Sequence, residues 1–121
     1  MRMFRHNPMA RREPMGIDAR YSEFEFDQIR RGYLAIDMDD KWDLGFEEPW
    51  LFICRSWTGN CIYQLLFRGD GDEFLVVESW VNRDPSEYKL TDIKFDHELA
   101  LRFIDSRLLG KEVVYPKPDV S

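Results

Sequence analysis

The sequence predicts an α+β domain, an antiparallel meander sheet of about four strands with a C-terminal helix packed on one face. Three observations predict it. Trp42, Leu44 and Phe46 alternate with Asp43 and Gly45, the period of a strand with one buried face. The apolar stretch from Trp50 to Phe67 is cut by Thr58-Gly-Asn60 and closed by Gly69-Asp-Gly-Asp72, so turns separate strand-length runs. Leu99, Phe103, Ile104 and Leu108 then recur at helical spacing, and Gly110 ends the stripe.

Along the chain, residues 1–19 hold four Arg, four Met, Pro8 and Pro14 without periodicity and read as a disordered basic arm. A single α+β domain is expected over 20–110, and a tail over 111–121, in which Val113-Val-Tyr115 is the segment able to dock. Ser22-Glu-Phe-Glu25 has capping-box spacing and Gly32 sits at a helix stop, which predicts a short helix over 23–31. The alternation of Phe24 and Phe26 keeps a strand open as the competing reading. The four strands are expected from Trp42 to Phe46, over about 50–57, about 61–68 and about 73–81. With Asp70-Gly71 as a two-residue loop, Phe67 would pair with Phe74, and Arg68 would face Glu73. Asp96 is placed to cap the C-terminal helix.

The 121 residues are 44% hydrophobic and 15% aromatic, a composition able to fill one core without staples. Net charge is −6, unevenly spread: residues 1–20 carry five Arg against Glu13 and Asp18, so the remainder is strongly acidic. An acidic body argues against nucleic acid as a partner, because phosphate recognition needs a basic face. No apolar run reaches the roughly 18 residues of a membrane span, so no membrane partner is expected. Two cysteines make no disulfide framework, and a cytoplasmic setting is the expectation.

Candidate chemistry centres on Arg55. A cation in an apolar strand needs a partner, and two readings stand: a structural pair with a carboxylate, or a fork that grips an anionic ligand. Either strand register considered places Arg55 on the face of Ile62, Gln64 and Leu66. Ser56, Trp57 and Thr58 offer hydroxyls and a ring at the adjoining turn, where ordinary hairpin chemistry is the alternative. Asp37, Asp39 and Asp40, followed by Lys41, form an acidic cluster with three possible roles: holding a hard cation, acid–base work, or a solvated turn. Asn82, Arg83 and Asp84 end the fourth strand and either close a polar pocket with Arg55 or pair with their neighbours. His6 and His97 are too isolated for a triad or zinc site, and Cys54 and Cys61 read as buried thiols. No cofactor and no metal site are expected.

Met38-Asp-Asp-Lys-Trp42, Trp50-Leu-Phe, Arg55-Ser-Trp-Thr-Gly59 with Cys61-Ile-Tyr63, and Asn82-Arg-Asp84, in that order, resemble a family of short uncharacterised bacterial proteins. Similar segments accompany ADP-ribose macrodomains in some bacterial proteins. The resemblance covers about residues 20–110, and departs at Asp43-Leu-Gly, where the family is more apolar. It implies no catalytic residue. It implies only that these polar groups form the functional surface, and it adds a link to ADP-ribose chemistry.

The expected function is binding of a small anionic ligand, nucleotide or ADP-ribose-like, around Arg55. Ser56, Trp57, Thr58, Asp39, Asp40, Lys41, Asn82, Arg83 and Asp84 would contribute. A protein-interaction or immunity-type accessory module, with a protein partner and no catalysis, is the alternative. A hydrolase is a third reading. It requires two of Asp37, Asp39, Asp40 and Asp84 to converge beside Arg55.

Overall fold

A computed structural model describes Phe4 and residues 6–117. The elements are β1 (Arg12–Pro14), β2 (Arg20–Ser22), α1 (Glu23–Arg31), β3 (Trp42–Glu47), β4 (Trp50–Arg55), β5 (Cys61–Asp70), β6 (Glu73–Asn82) and α2 (Ile93–Phe103). A π-helical turn, Ile104–Leu108, continues α2. The class is α+β, but the sheet has six strands. β3 to β6 form the antiparallel meander, and β1 and β2 both pair antiparallel with the outer edge of β6. No helix among the described residues is long and apolar enough to cross a membrane.

The two added strands lie in or beside the stretch that composition alone assigned to an arm. β1 pairs Arg12 with Asn82 and Pro14 with Trp80. A proline is compatible with an edge strand, where its missing N–H leaves no ladder bond unmade. Between β1 and β2 the chain keeps bonding to β6: Met15 N–H donates to Ser79 O at 2.9 Å, Ile17 N–H to Ser79 Oγ at 2.9 Å, and Val76 N–H to Ala19 O at 3.0 Å. Met15 and Ile17 are buried. The segment therefore covers an edge that would otherwise expose unpaired backbone groups.

Helix α1 has the expected bounds. Ser22 Oγ accepts from Glu25 N–H while Glu25 Oε1 accepts from Ser22 N–H, a complete capping box, and Gly32 ends the helix at φ +69°. The helical period prevails over the strand alternation: Phe26 is buried and Phe24 is exposed. The Phe26 ring stacks on Phe74 at 3.9 Å.

The β5–β6 hairpin turns at Gly71-Asp72 instead of Asp70-Gly71. Gly71 takes φ +64° at the first loop position, and Asp70 pairs with Glu73. Arg68 accordingly pairs with Leu75, and Arg20 of β2 reaches Glu73 at 3.3 Å. A bulge lies between Ile53 and Cys54 on the β4–β5 pair. Ile53 pairs with Tyr63 and Cys54 with Cys61, so Ile62 is the extra residue.

One face of the sheet buries Leu44, Leu51, Ile53, Tyr63, Leu65, Phe67 and Val81. These pack with Ile29 of α1 and with Ala100, Phe103, Ile104 and Leu108 at the C-terminal end. The cap of α2 is Asp92, whose carboxylate accepts from Lys94 and Phe95 N–H. Asp96 lies one turn further on and is fully buried, which corrects its assignment as the cap. Tyr115 of the tail docks, with its hydroxyl donating to Ser106 Oγ at 2.8 Å and its ring 5.6 Å from Phe103.

Candidate functional site

The meander brings four strand ends together: the starts of β3 and β5 and the ends of β4 and β6. The residue before β3, the β4–β5 turn and the loop after β6 meet there. They enclose a cavity of about 370 Å³ lined by Lys41, Arg55, Trp57, Thr58, Asn60, Ser86 and Glu87. Arg55, Trp57, Thr58 and Lys41 were legible as candidates in the sequence. Asn60, Ser86 and Glu87 were not.

Arg55 ends β4 directly opposite Trp42. The bulge at Ile62 places it in the row of Ile53, across from Tyr63, and not with Ile62, Gln64 and Leu66 as the sequence suggested. Its backbone closes the turn: Arg55 N–H donates to Asn60 O at 2.9 Å and Gly59 N–H donates to Arg55 O at 2.8 Å. The half-buried guanidinium lies 4.3 Å from the Trp42 ring centroid, and Trp42 in turn lies 4.6 Å from Phe103. The cation is thus oriented by a packed indole face. Among the described residues its fork makes no hydrogen bond or ion pair.

The aspartates that the sequence grouped around Arg55 are placed elsewhere. Asp40 Oδ2 accepts from Arg107 Nη1 at 2.8 Å and from the Tyr33 hydroxyl. Burial and this Asp40 contact hold the Tyr33 phenol above its ordinary pKa. Asp37 Oδ1 accepts from the backbone N–H of Asp39 and Asp40, a local turn, and Asp39 is exposed outside the cavity. Ser56 Oγ donates to Asp40 O and lines a neighbouring hollow. Among the described residues no group of three or more His, Cys, Asp or Glu is placed to hold a metal ion. The convergence of acids on Arg55 required by the hydrolase reading is absent among them.

Asn82-Arg-Asp84 positions the cavity wall without lining it. Buried Asn82 donates through Nδ2 to Cys61 O and to Glu87 Oε1, both at 2.9 Å, and its Oδ1 accepts from Asp84 N–H at 2.8 Å. Asp84 Oδ1 accepts from Ser86 N–H and Oγ, and these bonds hold its carboxyl below the usual carboxylate range. The result is a turn that presents Ser86 and Glu87 to the cavity, with one Glu87 oxygen anchored.

Arg83 points the other way. Its Nη2 donates to Asp96 Oδ2 at 2.7 Å and its Nε to Glu13 at 2.8 Å. Asp96 Oδ1 also accepts from Tyr63 and Tyr88 hydroxyls. Burial, with the Asp96 charge and hydrogen bonds adding to it, pushes both phenols above their ordinary pKa. The N-terminal segment braces the opposite wall. Asn7 N–H donates to Gly59 O at 2.7 Å, and Asn7 Nδ2 reaches Thr58 O and Asn60 Oδ1, both at 3.1 Å.

Cys54 and Cys61 are buried opposite one another. The Cys61 contact and burial push the Cys54 thiol up, so it is a poor nucleophile. His6 stacks on Phe52 at 3.9 Å, away from the cavity. The Ser86 hydroxyl donates to Asp84, a carboxylate whose lowered pKa makes it a weak base. The cavity is lined by two cations, hydroxyl and amide groups, one anchored carboxylate and an indole. Comparison with protein-family models, with curated proteins and with solved structures returned no match.

Proposed function

We propose that this domain binds a small anionic ligand, of nucleotide or ADP-ribose-like type, in the cavity at the β4–β5 turn. The observation that carries the proposal is the Arg55 fork, held on Trp42 and facing the cavity, with no carboxylate bonded to it among the described residues. Arg55 and Lys41 neutralise the anion. Thr58, Asn60 and Ser86 supply polar contacts, and Trp57 supplies a stacking face. Glu87 accepts ligand hydroxyls, in place of Asp39 and Asp40, which lie outside the cavity. The resemblance of the segments around Lys41 and Arg55 to those found beside macrodomains favours the same ligand class.

Thermal denaturation with inorganic phosphate, AMP, ADP and ADP-ribose tests this. A ligand at a hundred times its Kd adds about 2.7 kcal/mol. For 121 residues that raises Tm by roughly 10 °C. Arg55→Ala should abolish the shift while leaving the unliganded Tm within a few degrees. No shift with any of the four compounds sinks the proposal.

The second reading, a protein-interaction or immunity-type module, rests on Ile36, Met38 and Trp57. These are 82%, 74% and 62% exposed and lie together beside the cavity. It predicts stoichiometric capture of one partner from the native host, lost in Met38→Asp.

A further inference from the structure

Trp57 lines two hollows. One is the cationic cavity of about 370 Å³. The other, about 250 Å³, is formed by Ala35, Ile36, Asp37, Met38, Ser56 and Trp57. Its chemistry is different: the side chains are mainly apolar, and Ile36 and Met38 project into solvent although both are large hydrophobes. The β3 approach and the β4–β5 turn are tied together here, because Ser56 N–H donates to Lys41 O at 2.9 Å and Ser56 Oγ to Asp40 O at 3.0 Å. The hollow is therefore a braced feature and adjoins the cations through one residue.

We infer that the two hollows form one bipartite site, and that its ligand is an anion carrying a flat heteroaromatic ring, with the ring seated among Trp57, Ile36 and Met38. This rests on the anion reading above and adds to it the place of the ring, in the hollow beside the cationic cavity. A cavity of that volume is large for a bare inorganic anion. A sugar phosphate would fill the cationic side and leave the apolar side wet. A planar ring joined to a phosphate satisfies both, because apolar side chains and an indole face cover the two faces of a ring, while Arg55 and Lys41 take the charge. Asp37, on the rim of the apolar hollow, accepts a ring amino donor better than a second anion, which repels it.

The test is calorimetry on the full chain with three probes: inorganic phosphate, ribose 5-phosphate and AMP. AMP should bind about tenfold tighter than ribose 5-phosphate, the contribution of one stacked ring. Ile36→Ser combined with Met38→Ser should remove most of that gap and leave ribose 5-phosphate affinity unchanged. Both positions are exposed, so the variant should keep the parent circular dichroism and Tm. Trp57→Ala should close the gap as well. Equal affinity for AMP and ribose 5-phosphate, or an AMP advantage that survives the double substitution, overturns the bipartite site and leaves the apolar hollow to the protein-interaction reading. Failure of all three probes to bind overturns the anion reading itself, and this inference with it.

Discussion

Replacing Asp96 separates two physical roles by magnitude. As a helix cap, which its sequence position suggests, its loss would cost about 1 kcal/mol. In the structure it is a fully buried carboxylate that accepts from Arg83, Tyr63 and Tyr88. Asp96→Ala leaves the half-buried guanidinium with Glu13 as its remaining carboxylate and takes the shared acceptor from both phenols. The two hydroxyls lie 3.0 Å apart and still satisfy one another in part. Breaking a buried pair from one side costs about 3–5 kcal/mol. An unfolding entropy of roughly 0.25 kcal/mol/K for 121 residues converts this to a Tm lower by about 12–20 °C. Asp96→Asn keeps the shape and one acceptor oxygen, and should lose about half as much. The assay is urea denaturation of the two variants beside Asp92→Ala, the true cap, which should cost about 1 kcal/mol. An Asp96→Ala cost no larger than that of Asp92→Ala would refute the buried hub. The hub also reaches the cavity, because Tyr88 follows Glu87 in the wall. The Asp96 variants should therefore weaken the proposed anion binding without touching a lining residue.

Gly32 holds φ +69° and ψ −173°, a region open essentially to glycine, and a Cβ there would sit 2.6 Å from Leu44 O. Gly32→Ala should destabilise by about 1–3 kcal/mol in urea melts, and a cost under about 0.5 kcal/mol would contradict the backbone geometry. The raised tyrosines predict alkaline instability. Tyr63, Tyr88 and Tyr21 are held protonated in the fold, so above about pH 10 the unfolded chain binds fewer protons and stability falls as pH rises. Fully buried Tyr63 alone contributes about 1.4 kcal/mol per pH unit there. Absorbance at the phenolate band should therefore rise cooperatively with loss of circular dichroism. A smooth titration of all tyrosines near their ordinary pKa in the folded chain would contradict it.

Sequence alone determined the features whose causes are local. The bounds of helix α1 were legible, because a capping box and a stop glycine act over a few positions, while the alternation of Phe24 and Phe26 left a strand as the competing reading. The meander from β3 to β6 was legible because period-two alternation and glycine turns need no distant partner. The cluster of Arg55, Trp57 and Thr58 was legible for the same reason, since Arg55 ends the strand that leads into the turn holding the other two. Tertiary structure decided the rest. Arg12-Glu-Pro14 carries no strand signal, and becomes a strand because the edge of β6 has unpaired backbone groups to satisfy. A single extra residue, Ile62, decides which face Arg55 occupies, because a side-chain period of two converts one added residue into the opposite side. Asp96 looks like a cap in one dimension, and only the approach of Arg83, Tyr63 and Tyr88 makes it a buried hub. Glu87 carries no local pattern at all. It reaches the cavity because Asn82, across a five-residue step, anchors one of its oxygens. Residue type set what each group can do, and the packing of distant segments set which of them act together.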